Sequence, residues 1–286
     1  MGMRIAALAI AAVVTVGALI VPARAQQRAA APDNAADVKA LVFDLANSMG
    51  MLRDLQQEDS IITLEHWAKG TVTVGQQRFD VPEYRLSINY SVPGMRVDLT
   101  RIGPNGQKQR QIEVVSGGAA WNETERGRNA TATLDRVKER LVHLWTTPMG
   151  VVKAARAAGP KATVRTQDGA MVLSFPLPTP AADVTVSATV RKDATLVVPD
   201  PASLKELVST YIVRVNTTGA LTSETTYAEY GDWNWDDYQA DIMLPRRIVR
   251  TSGDTTLELT TTNTNTYNPY VIMPVPENIK RQAGSK

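Results

Sequence analysis

The chain has no cysteine and only two histidines, His66 and His143, among its 286 residues. The missing cysteine excludes disulfides, a thiolate nucleophile and a lipid-modified amino-terminal Cys. With two isolated histidines and no H-x-H or H-E-x-x-H spacing, a zinc site would have to lean on carboxylates. A G-x-S-x-G nucleophile elbow, a Walker loop and a dinucleotide fingerprint are missing too. The sequence therefore reads as a non-catalytic protein with no catalytic residue, no metal and no cofactor.

Long apolar runs are scarce as well. One stands at the start: Arg4 precedes the stretch Ile5 to Val21, and Ala23-Arg24-Ala25 gives the small-x-small pattern of a signal-peptidase site. Residues 1–25 read as a signal peptide cleaved near Ala25, which places the protein in a bacterial periplasm or outside the cell, with no integral membrane span after cleavage. Excess charge is also lacking. The first 25 residues hold two arginines and no acid, so the chain from Gln26 balances 29 bases against 29 acids. A neutral chain without basic blocks gives no reason to expect nucleic acid as a partner.

Residues 26–34, rich in Ala and Gln, read as a flexible leader, 35–280 as one domain and 281–286 as a tail. Val38, Leu41, Val42, Leu45 and Met49 recur at helical spacing up to Gly50. A second helical pattern runs from Leu134 to Trp145, broken by Pro148-Met149-Gly150, and a short third from Val151 to Ala158. Most of the rest alternates. Tyr84, Leu86, Ile88 and Tyr90 oppose Arg85, Ser87 and Asn89, and beyond the Pro93-Gly94 turn Met95, Val97 and Leu99 repeat the pattern. The sequence predicts an α+β fold: a curved, largely antiparallel sheet, a half-open barrel, wrapped around a few helices that plug its concave side. The run Thr260 to Asn265 reads as a solvent-facing strand edge or loop, and Gly117-Gly118 as a tight turn.

The stretch GDWNWDD, residues 231–237, deserves separate weighing. Asp232, Asn234 and Asp236 match the first half of a calcium loop, but Asp237 stands where the turn glycine belongs and Met243 where the bidentate Glu belongs. It reads instead as a hairpin tip whose Trp233 and Trp235 either fold back on the sheet or offer a partner contact. The acid pairs Glu123/Glu125 and Asp236/Asp237 read as charged surface turns. His143 reads as a surface or cap residue, and His66 as one residue of an ordinary Glu-His-Trp stretch.

Five segments carry a resemblance: YRLSINYSVPGMRVDLTR (84–101), QIEVVSGGAAWN (111–122), ERLVHLWTTPMGVVKAA (139–155), ETTYAEYGDWNWDDYQADIMLPRRIV (224–249) and MPVPENI (273–279). In order and pattern they resemble the amino-terminal accessory domain of secreted bacterial metallo-β-lactamase-fold hydrolases. The tyrosine-rich hairpin, LP-x-x-I-V and the closing V-P also resemble the periplasmic lipoprotein-carrier fold of LolA/LolB type. These likenesses imply a binding module without the catalytic domain, holding an apolar or amphipathic small molecule or lipid between sheet and helices. Tyr84, Leu86, Ile88, Tyr90, Met95, Val97, Leu99 and Trp145 are the candidate cavity residues. The alternative is an accessory module that binds a protein partner in trans through Trp233 and Trp235.

Overall fold

A computed structural model describes residues 34–53, 58–193, 207–217, 220–232, 242–266 and 268–284. The first helix, α1 (Ala35–Ser48), buries Val38, Leu41, Val42, Leu45 and Ala46 along one face and ends ahead of Gly50, whose φ of 67° suits the helix stop. Two short strands, β1 (Leu52–Arg53) and β2 (Glu58–Asp59), form a small sheet of their own. A long meander then begins with β3 (Thr63–Val74), β4 (Gln77–Asn89), β5 (Gly94–Ile102), β6 (Lys108–Ser116), β7 (Ala119–Glu123) and β8 (Thr131–Ala132).

Two helices interrupt it. α2 (Val137–Trp145) follows a 3-10 turn at Leu134–Arg136, and α3 (Pro148–Ala158) follows after a sharp corner. The second meander comprises β9 (Thr163–Gln167), β10 (Ala170–Pro176), β11 (Val184–Asp193), β12 (Leu207–Thr217), β13 (Ala220–Asp232), β14 (Met243–Ser252) and β15 (Thr255–Asn265), and α4 (Glu277–Gly284) lies near the end. Every strand pair is antiparallel, and β15 returns to pair with β3, joining the two meanders into one sheet of thirteen described strands. Its outermost strands, β8 and β9, do not pair with each other, so the sheet is a half-open barrel of the expected α+β class.

The alternation in β4 and β5 does what the sequence suggests. Tyr84, Leu86 and Ile88 stand across from Leu99, Val97 and Met95 on the concave face. That face closes on α1, α2 and α3, which contribute Leu45, Leu144, Met149, Val151 and Val152 to one continuous core. Burial of each such aliphatic side chain stabilises the fold by roughly 1.5–3 kcal/mol. A second, smaller core lies on the opposite face of β6 and β7. There Ile112, Val114, Ala119 and Trp121 are covered by Val271, Met273 and Ile279 of the returning chain. Asn268 fixes that return: its Oδ1 accepts from the backbone N–H of Ile62 and Thr63, while Thr63 Oγ1 donates to the Pro269 carbonyl.

One local expectation needs correction. α2 ends at Trp145 ahead of Pro148 as expected, but Pro148 and Gly150 open α3, which starts three residues before Val151. Pro148 occupies the first turn, where its missing N–H costs nothing, and Gly150 sits so close to the Leu144 carbonyl that a Cβ would come within 2.3 Å of that oxygen. Thr260 to Asn265 is the end of β15: Thr260 still pairs with β14, but Thr261 to Asn265 pair with β3 alone and leave a strand edge on which Thr262 and Asn263 are exposed. Its buried Thr261 accounts for the polar run: the hydroxyl donates to the Pro245 carbonyl at 2.6 Å. The Gly117-Gly118 turn between β6 and β7 is as expected, with both glycines at positive φ.

Candidate functional site

The concave face does not pack solid along its whole length. A cavity of about 50 Å³ lies under the α2–α3 corner, walled by Leu86 and Ile88 of β4, Tyr90 just after it, Tyr227 of β13 and Leu259 of β15, with His66 of β3 reaching in. Next to it, towards the β3–β4 and β14–β15 turns, a wider pocket of about 490 Å³ is lined by Val72, Val74, Val97, Leu99 and Leu257, with Glu139, Arg140 and His143 from α2 on the facing side. Tyr84, His143, Arg250 and Leu257 line both. They form the throat between an apolar inner chamber and a mixed outer one.

Six of the eight candidate cavity residues line this space. Tyr84, Leu86, Ile88 and Tyr90 face the inner chamber, and Tyr84, Val97 and Leu99 the outer one. Met95 and Trp145 line neither. Met95, 1% exposed, is packed between Ile88 and Val115 across the sheet, and Trp145 lies beside Tyr90 with ring centroids 6.3 Å apart. Trp233 and Trp235, together with residues 234 and 236–237, lie outside the described residues.

The hydrogen bonds of the three tyrosines differ. Tyr227 Oη donates to the Thr146 carbonyl at 2.9 Å. Tyr90 Oη lies 2.9 Å from Thr147 Oγ1, and because that hydroxyl gives its proton to the Leu144 carbonyl, Tyr90 is the donor. These two bonds tie the sheet to the α2–α3 corner. The Tyr84 hydroxyl has no hydrogen-bond partner among the described residues. Burial pushes its pKa up to about 12 despite the opposing field of Arg250, and Tyr90 and Tyr227 are raised further by the same cause.

Both histidines belong to this site, contrary to the sequence reading. His66 is buried, and its Nε2 lies 2.7 Å from Thr261 Oγ1. Since Thr261 spends its only proton on Pro245, His66 donates through Nε2–H and is held as that tautomer. Burial lowers its pKa from 6.5 to about 4. His143 is half-buried and turned inward from α2. Burial first, and the Arg250 charge second, hold it well below the ordinary imidazole value. Helical periodicity concealed this, because α2 is covered on two sides and has no single wet face. Both rings are neutral at pH 7.

Arg250 is the other residue that the sequence reading missed. It projects from the concave face of β14, between Thr225 on β13 and Leu257 on β15. It is partly buried, and its guanidinium makes no hydrogen bond or ion pair with any described residue. The alternation Ile248, Arg250, Ser252 marks it as inward-facing, so period-two patterning could have found it.

A second polar constellation occupies the convex face of β3–β7. Arg85 grips Glu65 with two nitrogens at 2.8–3.1 Å, Arg110 grips Asp98 at 2.7–2.9 Å, and Arg126 reaches across to Ser87 Oγ at 2.9 Å. Glu123 is no surface-turn acid. It is buried beneath the 124–128 loop, accepting from Trp121 Nε1 at 2.9 Å, Arg96 at 3.1 Å and the Gly127 N–H at 2.7 Å. Glu125, by contrast, is exposed and pairs with Arg128. The network's ion pairs fasten the 124–128 loop to the sheet. Among the described residues no three His, Asp or Glu side chains converge as metal ligands, and no helix is long and apolar enough to cross a membrane.

No protein-family model and no curated protein matches the chain. Among solved structures it is similar to a beta-barrel-like protein of domain of unknown function DUF1849 from Brucella abortus. The two are 10% identical with a TM-score of 0.28, over 72% of this chain and 98% of that one.

Proposed function

We propose that this protein is a non-catalytic, exported binding module that holds an apolar or amphipathic ligand on the concave side of its sheet. The observation that carries the reading is the two-chambered space beside α2. Its outer chamber, about 490 Å³, falls within the size range of small-molecule sites and sets an aliphatic wall of Val72, Val74, Val97, Leu99 and Leu257 against charged and polar groups, while the inner chamber is mostly apolar. The likenesses to a hydrolase accessory domain and to a lipoprotein carrier, drawn from sequence motifs, support the same role, as does the amino-terminal export signal. The narrow inner chamber suits the end of a chain or a small ring rather than a whole lipid.

Native mass spectrometry of the purified full chain tests the proposal. The expected spectrum carries an adduct of a few hundred daltons that leaves on denaturation and is absent from a Leu257→Asp variant. A bare mass, together with no uptake of an added apolar probe, would rule the binding role out and leave the accessory module acting on a partner protein as the better reading. That second reading has one structural motive: Ile62, Val92, Tyr270 and Ile272 are exposed where the Asn268 clamp brings the returning chain against the start of β3.

A further inference from the structure

We infer that the throat of this pocket is an anion site, so that the ligand is an amphiphile with a single negative charge whose head lies against Arg250, Tyr84 and His143. The inference rests on the binding role proposed above and specifies its chemistry. Buried and half-buried polar groups in folded proteins nearly always find partners. Here three that face one another across the junction of the two chambers have none among the described residues: the guanidinium of Arg250, the hydroxyl of Tyr84, and the ring of His143. Tyr84 is 4% exposed overall and lines both chambers, so its hydroxyl opens onto the pocket. Together they supply a planar cationic fork and two neutral donors, the set that recognises a carboxylate or a phosphodiester.

The surrounding charges set the valence. Arg101 donates to Gln109 and lies over the Phe79 ring, and Arg140 spends its nitrogens on the Val114 and Trp121 carbonyls and on Asn122. Glu139 is engaged by Arg136, and Glu113 lies 3.5 Å from Arg140. Of the three arginines on the outer lining, Arg101 and Arg140 are engaged by these groups, and the guanidinium of Arg250 is the one with no partner among the described residues, which matches one negative charge. A dianion would meet the outer-chamber carboxylates Glu113 and Glu139 with little to offset the repulsion. The apolar remainder of the ligand finds Val72, Val97, Leu99 and Leu257 on the outer side.

Titration calorimetry on the full chain at pH 7.5 separates the possibilities, using decanoate, decanoyl lysophosphatidylglycerol and decanol as probes. Decanoate, the lysophospholipid or both are expected to bind at least tenfold more tightly than decanol, and which of them wins identifies the head as carboxylate or phosphodiester. Arg250→Gln is expected to weaken the anionic probe by roughly 10- to 100-fold, the usual range for a charge-assisted hydrogen bond, while leaving decanol within twofold. Arg250→Lys should retain most of the affinity, and Tyr84→Phe should lose less than Arg250→Gln does. Equal binding of decanol and the anions, or an unchanged anion affinity in folded Arg250→Gln, overturns the anion site but leaves the binding role standing. Binding of none of the three probes overturns both.

Discussion

At the scale of single residues, burial governs this protein's titration. His66 donates to Thr261 and lies edge-on to Tyr84, ring centroids 6.2 Å apart, and burial is the cause that moves its titration. Its folded-state pKa of about 4 lies below the ordinary 6.5, so between those values the unfolded chain takes up a proton that the folded chain excludes. The contribution is fully present above pH 6.5 and is lost as pH falls towards 4, to a total of about 3 kcal/mol. His143, also lowered by burial, acts in the same direction. Urea denaturation at a series of pH values should therefore show midpoints falling from pH 6.5 to 4. A His66→Gln variant, which keeps an N–H donor for Thr261 without the titration, should show a shallower fall than the wild type. An identical slope in both proteins would remove His66 from the account.

At the scale of elements, close approach of backbone to backbone decides which strands the sheet accepts. In β3 the register shifts between Ala68 and Gly70, and there the strand comes so near β15 that a Cβ on Gly70 would sit 1.9 Å from the Glu258 carbonyl oxygen. No rotamer relieves a clash with backbone, so Gly70→Ala must push β15 away from β3, the single joint between the two meanders. We expect a loss of roughly 2–4 kcal/mol in equilibrium denaturation, well above the few tenths that the alanine's better strand propensity could return. A melting temperature within a degree or two of wild type would show that the joint tolerates displacement. Gly70 looks unremarkable in the sequence, lying between Lys69 and Thr71 with no turn partner beside it, because the contact that demands it comes from a strand almost two hundred positions away.

At the scale of the whole molecule, the sheet has two apolar faces with separate covers: the helices on the concave side, and the chain from Val271 to Ile279 on the convex side of β6 and β7. Ile279, fully buried, anchors α4 there. An Ile279→Asp substitution should cost about 3 kcal/mol and red-shift Trp121 emission as water reaches the indole, yet leave amphiphile affinity within twofold, since the pocket opens on the other face. Loss of ligand binding in a still-folded variant would mean that the two faces are coupled. The sequence by itself determined what depends on neighbours along the chain. The alternation of β4 and β5, the period of α1 and the Gly117-Gly118 turn are all local patterns, and from them the half-open α+β barrel and the concave-face placement of Tyr84, Leu86, Ile88, Val97 and Leu99 followed. Only the tertiary structure decided what depends on contacts between distant segments. It brought His66, His143 and Arg250 to one cavity, buried Glu123 under a loop, made Thr261 an interior hydrogen-bond relay, and left Met95 and Trp145 out of the cavity lining. The physical reason is that periodicity reports which face a side chain takes, whereas burial, pairing and pKa depend on what covers that face, and the cover comes from elsewhere in the chain.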